Sequence, residues 1–296
     1  MTSSLHPREA KPPTGSETTA GTTTIVVSPE WQGSGRPEVQ AGAEWLADAF
    51  PGPLPRIRVD APPSEHLHRP ADVLGLGSIS ERFRATLLEL RKQGPRRLFL
   101  IGGTCGTEAA PVAYLNERWE GNLAVVWLDA HADLNTPATS PSGRFHGMVL
   151  RTLLGEGPGE YTRHLGRPLT PRQVFLAGCR QLDPAETLYI REHRLEVAEV
   201  TGAGSGRLLG ERIRAAGFAR TYLHLDVDVL DPRSFPDMLM PTAGGPSLEA
   251  LANCIRELVE ATEVVGFSVV EYCGRSLESR AQLVRLLEQS GLVRRR

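Results

Sequence analysis

The chain has 296 residues, 40% hydrophobic, 23% charged and 6% aromatic, enough for one large α/β domain or two small ones with a sizeable core. A net charge of −2 gives no electrostatic hold on nucleic acid or an anionic membrane. No apolar run approaches the roughly 18 residues of a membrane span, and Cys105, Cys179, Cys254 and Cys273 are too few and too scattered for a disulfide framework, so a soluble, cytoplasmic protein is expected.

Residues 1–24 are rich in Thr, Ser and Pro and nearly empty of large apolar side chains. They lack the apolar stretch of a secretory signal. They also bury too little to offset the entropy of ordering, so a disordered tail is expected. From Ile25 onward, β-branched runs alternate with amphipathic stretches. In chain order the pattern predicts a strand at Ile25–Ser28, helices at Val39–Phe50 and Ile79–Gln93, and a strand at Leu98–Ile101. A helix at Glu108–Arg118 follows, then strands at Leu123–Leu128 and Gln173–Ala177. Helices at Ala185–His193 and Gly206–Ala216 lead to a strand at Thr221–Asp226, a helix at Leu248–Ala261, a strand at Val264–Val269 and a helix at Leu277–Glu288.

The run Ala124–Leu128 is apolar throughout, which suits a strand covered on both faces. Ser247 and Ser276 are placed as N-caps, with Ala250 and Ser279 three residues on, so neither forms a capping box. The alternation implies a largely parallel sheet with helices on both faces, and residues 25–296 read as one domain. The basic end Arg294–Arg296 reads as solvated chain.

Polar clusters close the predicted strands. They are Gly102-Gly103-Thr104-Cys105, Asp129-Ala130-His131-Ala132-Asp133, Gly178-Cys179-Arg180, Asp226-Val227-Asp228 and Glu271. In open α/β sheets, ligands bind outside the carboxyl ends of the strands. Asp129, His131 and Asp133 stand at spacing two, and Asp226 and Asp228 repeat it, so each set points one way from an extended exit. A lone DxD pair is common and weak. Four carboxylates gathered at one sheet edge repel one another, and divalent cations remove that conflict. Carboxylates mixed with imidazole favour hard ions such as manganese.

The segment 129–148, DAHADLNTPATSPSGRFHGM, resembles the arginase-type ureohydrolases, as do GCRQLDPAE at 178–186, HLDVDVLDP at 224–232, the 241–245 turn and GFSVVE at 266–271. The resemblance implies a three-layer α/β fold with a mostly parallel eight-stranded sheet, assembled as homotrimers or homohexamers. It implies two Mn2+ ions per chain, bridged by Asp129 and Asp226, with Asp133 completing the first site and His131 and Asp228 the second. It makes Asp133, His146 and Glu271 catalytic: Asp133 on the attacking water, His146 as a proton shuttle, and Glu271 holding the guanidinium. Asn135, Ser140 and Ser142 match positions that bind the substrate carboxylate, and Asp183 and Glu186 those that take the α-amino group.

The implied activity is hydrolysis of L-arginine or N-omega-hydroxy-L-arginine to L-ornithine plus urea or hydroxyurea. A non-catalytic amino-acid or metal binder and a ureohydrolase for agmatine are the alternatives. Without the resemblance, Asn135-Thr136-Pro137 and Ser140-Pro141-Ser142-Gly143 read as turn chemistry.

Three positions depart from the family pattern. A histidine ligand expected in Gly-Gly-Asp-His-Ser is Cys105, and the aspartate before it is Thr104. Cys105 either ligates as thiolate and softens the first site, or fills the core as free cysteine commonly does. If it ligates, Cys105→His should raise manganese affinity, and Thr104→Asp should add to the gain. Arg144 stands for a family asparagine, either contacting the carboxylate or facing solvent.

Overall fold

A computed structural model describes residues 23–50, 52–60 and 67–293. Eight strands make one sheet: β1 (Thr23–Ser28), β2 (Arg56–Arg58), β3 (Arg97–Gly102), β4 (Ala124–Leu128), β5 (Val174–Ala177), β6 (Val197–Ala198), β7 (Arg220–Leu225) and β8 (Glu263–Val269). Their order is β2-β1-β3-β8-β7-β4-β5-β6, and every pairing is parallel. The six strands expected from the sequence are all present. The other two, β2 and β6, are edge strands of three and two residues, too short to carry a periodic signal.

One boundary needs correction. Thr23 and Thr24, read as the end of the tail, belong to β1, where they pair with Arg97 and Leu98. Ladder bonds to a central strand outweigh a composition that looks tail-like, and threonine itself suits a strand. The remainder of that expectation, residues 1–22, lies outside the described residues, as does the Arg294–Arg296 end.

Nine helices accompany the strands among the described residues: α1 (Glu38–Asp48), α2 (Leu76–Gln93), α3 (Ala109–Arg118), α4 (Val149–Leu153), α5 (Gly159–Thr162), α6 (Pro184–Glu192), α7 (Ser205–Ala215), α8 (Leu248–Ala261) and α9 (Leu277–Gln289). All seven expected helices are found within a few residues; α4 and α5, of five and four residues, are the additions. Ser247 and Ser276 cap α8 and α9, their side chains accepting from the backbone N–H of Ala250 and Ser279.

Alternate strand residues feed opposite cores. Val26, Leu98, Leu100, Val125 and Trp127 pack with α2 and α3 on one face. Ile25, Val27, Phe99, Val126 and Leu225 pack with α1, α7, α8 and α9 on the other. Among the described residues, no helix is long and apolar enough to cross a membrane.

Because β3, β8, β7, β4 and β5 are consecutive neighbours, their C-terminal exits form one continuous rim. The polar clusters at 102–105, 271, 226–228, 129–133 and 178–180 therefore converge, although Cys105 and Glu271 stand 166 positions apart in the chain.

Candidate metal centre and substrate cavity

The exits of β4 and β7 interlock. The Asp129 carboxylate accepts from the backbone N–H of His131 through Oδ1 at 2.7 Å, and from Trp127 Nε1 through Oδ2 at 3.1 Å. Asp226 Oδ1 accepts from the Asp228 N–H at 2.7 Å, and Asp228 Oδ1 from the Ala130 N–H at 3.1 Å. His131 Nδ1 lies 3.0 Å from Asp228 Oδ2 and 3.4 Å from Asp129 Oδ1. Asp129, His131 and Asp228 bring one ligand atom each within 4.8 Å of one another, and so do Cys105, Asp226 and Glu271.

These acids are buried, and the charge crowding is severe. Burial, then the charges of neighbouring carboxylates, pushes Asp226 and Asp133 well above the usual carboxylate range. The same causes bring Asp228 to about 7 despite the hydrogen bond from His131. Asp129 goes the other way: burial would raise it, but the facing His131 and His224 imidazoles hold it low. For His131, burial is outweighed by Asp129 and Asp228, and its pKa rises to about 12. Asp133 Oδ2 and Glu271 Oε2 are buried without a hydrogen-bond partner. Orphaned carboxylate oxygens amid mutually repelling acids are the donor set that divalent cations satisfy.

Backbone strain gathers here too. Asp133 (φ 52°) and Glu271 (φ 59°) are left-handed, a conformation a non-glycine side chain holds only when its surroundings impose it. The Asp133 carbonyl accepts from the N–H groups of Leu150 and Arg151. Glu271 Oε1 accepts from the Cys105 N–H at 2.9 Å and lies 3.2 Å from His146 Nδ1. Gly103 makes this possible, since a Cβ there would stand 2.0 Å from the Glu30 carbonyl oxygen.

Above the acids lies a cavity of about 210 Å³. Its lining includes the candidate ligands Cys105, His131, Asp133, Asp226 and Asp228 together with Asn135, Ser140, Ser142, His146, Asp183 and Glu186. Of the predicted site residues, the buried Asp129 and Glu271 do not line it, and neither does Arg144. Asn135 Nδ2 donates to Asp183 Oδ2 at 2.8 Å. Asp183 and Glu186 form a capping box at the start of α6, and the two Glu186 oxygens accept from the N–H groups of Asp183 and Leu134, both at 2.9 Å. Glu186 thus ties the substrate-side loop to α6.

The family model of the arginase family matches residues 59–280. The chain belongs to the arginase family. An arginase of Bacillus caldovelox is 31% identical over 223 residues, covering 70% of this chain and 73% of that protein. An arginase of Staphylococcus aureus (strain COL) is 34% identical over 178 residues, 58% of this chain and 59% of that protein, so the match spans under two thirds of that relative. The solved Entamoeba histolytica arginase, in complex with L-ornithine, shares the fold at TM-score 0.83 and 22% identity, over 92% of this chain and 99% of that one. Proclavaminate amidino hydrolase from Streptomyces clavuligerus shares it at TM-score 0.67 and 22% identity, over 91% of this chain and 88% of that one.

Within this arginase-family site, sequence reasoning assigned no role to four polar side chains. His224 and Glu108 form a buried pair, with Nδ1 2.8 Å from Oε1. The spacing of His224, Asp226 and Asp228 repeats that of Asp129, His131 and Asp133, a signal that could have drawn attention to His224. Glu30 accepts from Thr104 Oγ1 at 2.8 Å. Arg180 donates to the carbonyls of Gly178, Asp228, Val229, Leu230, Thr242 and Ala243, so one guanidinium clamps the loop bearing Asp228 to the 241–245 turn. Arg180→Lys keeps the charge and loses the fork. Metal affinity in an equilibrium titration is expected to fall about 10-fold, the lower end of losses seen when a ligand's support is removed; an unchanged titration would make the clamp irrelevant to the centre.

Proposed function

We propose that this chain is a metal-dependent hydrolase of guanidino amino acids, cleaving L-arginine or N-omega-hydroxy-L-arginine to L-ornithine plus urea or hydroxyurea. The observation carrying the reading is the shared cavity, lined both by clustered acids with imidazole and by a hydroxyl- and amide-rich loop. Two divalent ions would be held by Cys105, Asp129, His131, Asp133, Asp226 and Asp228, with manganese suited at least to the site of Asp129, His131 and Asp228. Such ions would supply Lewis acidity, lowering the pKa of water so that it can act as a nucleophile toward the guanidinium carbon.

The chain's own residues do the rest. Asp133, with Oδ2 uncommitted, is set to hold a proton of the attacking water. His146, half-buried against Glu271 Oε1, is set to deliver a proton to the departing amine. Glu271, with Oε2 uncommitted, can orient the cationic end of the substrate. Asp183 faces the cavity and can pair with the α-ammonium, while Asn135, Ser140 and Ser142 offer amide and hydroxyl donors to the carboxylate.

Metal-stripped and manganese-reloaded protein should release urea or hydroxyurea together with ornithine. Agmatine, which lacks the carboxylate, should be poorer in kcat/KM by about 10²-fold or more. No release from any of the three substrates, or a preference for agmatine, would overturn the reading.

A further inference from the structure

We propose that the first metal site of this chain is made by Cys105, Asp129, Asp133 and His224, and that its sulfur, nitrogen and oxygen donors take a borderline ion such as zinc(II) in preference to manganese. The inference rests on the proposed two-metal reading, and supplies a ligand and a metal class that the reading leaves open.

The four residues are all buried, and each offers one ligand atom within 4.8 Å of the others. Atoms bound to zinc at about 2.0–2.3 Å stand roughly 3.3–3.8 Å apart in a tetrahedron, so small side-chain adjustments close this set on one ion.

His224 is the unexpected member. It sits on β7, fully buried, its ring stacked on Trp127 with centroids 3.6 Å apart and planes 14° from parallel. Its Nδ1 lies 2.8 Å from Glu108 Oε1, and Glu108 Oε2 accepts from the Tyr222 hydroxyl at 2.6 Å. With its Nδ1 proton donated to that carboxylate, the neutral imidazole would direct its Nε2 lone pair at the acids. Nε2 makes no hydrogen bond and stands 3.5 Å from Asp129 Oδ2. A carboxylate holding the far nitrogen of a buried histidine is the arrangement that orients imidazole toward a metal.

The imidazole missing at position 105 is thus returned from β7, two strands along the sheet from β3. Cys105 keeps its place, with its N–H on Glu271 and Sγ 3.1 Å from Asp226 Oδ2. On ligation the thiol proton passes to solvent. Thiolate and imidazole together shift the site toward softer ions, while Asp129, His131 and Asp228 remain a harder set.

The test uses the full chain, stripped with chelator and loaded stepwise. One equivalent of cobalt(II) should produce a thiolate-to-cobalt charge-transfer band that zinc displaces and manganese does not. X-ray absorption at one equivalent of zinc should show one sulfur and at least one imidazole nitrogen. Cys105→Ser should lose the band. His224→Gln should keep two-ion capacity only at cobalt concentrations at least about 10-fold higher for the first ion.

If His224→Gln fails to fold, the wild-type cobalt protein decides. At one equivalent it should show a hyperfine-shifted, slowly exchanging imidazole N–H, the proton shielded by Glu108. An all-oxygen shell, absence of the band, absence of that resonance, or unchanged first-ion affinity in folded His224→Gln would each overturn the inference. Failure of guanidine hydrolysis with these signatures intact would overturn the proposed function and leave the site standing.

Discussion

Replacing either Asp129 or Asp226 with asparagine is expected to abolish guanidine hydrolysis, cutting kcat/KM by about 10³-fold or more, equivalent to roughly 4 kcal/mol of transition-state stabilisation. The reason lies in how the oxygens are shared. Asp129 Oδ1 faces His131 at 3.4 Å, while Oδ2 faces His224 at 3.5 Å, so one carboxylate serves two adjacent ligand groups. Asp226 holds Asp228 through Oδ1 and meets Cys105 Sγ through Oδ2 at 3.1 Å. Asparagine keeps the shape but offers one neutral oxygen, and its amide N–H groups would point at a cation.

Asp226→Asn separates charge from fold. Burial and the neighbouring Asp228 and Asp129 disfavour its ionised form, so removing the charge should raise the melting temperature of the metal-free protein. The increase in melting temperature on adding metal should shrink at the same time. Calorimetry with and without metal, beside elemental analysis, checks both. A variant that keeps two ions and is still inactive would mean that Asp226 acts in the chemistry without bridging.

The fold was legible wherever strands are buried on both faces, because an apolar run such as Ala124–Leu128 has few other structural uses. The edges were not, since Arg56–Arg58 and Val197–Ala198 are too short to show a period. The acid clusters could be read because they are local: Asp129, His131 and Asp133 sit together in the chain and leave the sheet at one point. Their supports are non-local. Glu108 meets His224 across 116 positions, and Thr104 meets Glu30 across 74, so neither partner marks the other in sequence. Arg180 is harder still, because its six acceptors are backbone carbonyls, which any residue supplies.

Thr104→Asp, expected from sequence to improve a histidine installed at Cys105, is instead expected to destabilise the protein by about 3–5 kcal/mol, the usual loss when a buried charge is left uncompensated. Thr104 is fully buried, and its hydroxyl donates to Glu30 Oε2 at 2.8 Å. Glu30 Oε1 accepts from the Gly33 N–H at 2.6 Å. Burial pushes the Glu30 carboxyl up, and the bonds from Gly33 and Thr104 resist that rise. An aspartate at 104 removes one of those donors and sets a second carboxylate against the first. Cys105 is the next residue, so the distortion reaches the metal centre directly.

Glu30→Gln should rescue the variant, because a neutral amide can donate to the new carboxylate. Alone it should cost only about 1 kcal/mol, one neutral hydrogen bond replacing a charged one. Urea unfolding of the four proteins in a double-mutant cycle should therefore give a favourable coupling above about 2 kcal/mol between positions 30 and 104. Additive effects would mean that the two side chains do not share this bond, and Thr104→Asp would again be open as a route to a stronger first site. A large coupling makes Glu30 the reason that threonine, rather than aspartate, is accommodated beside Cys105.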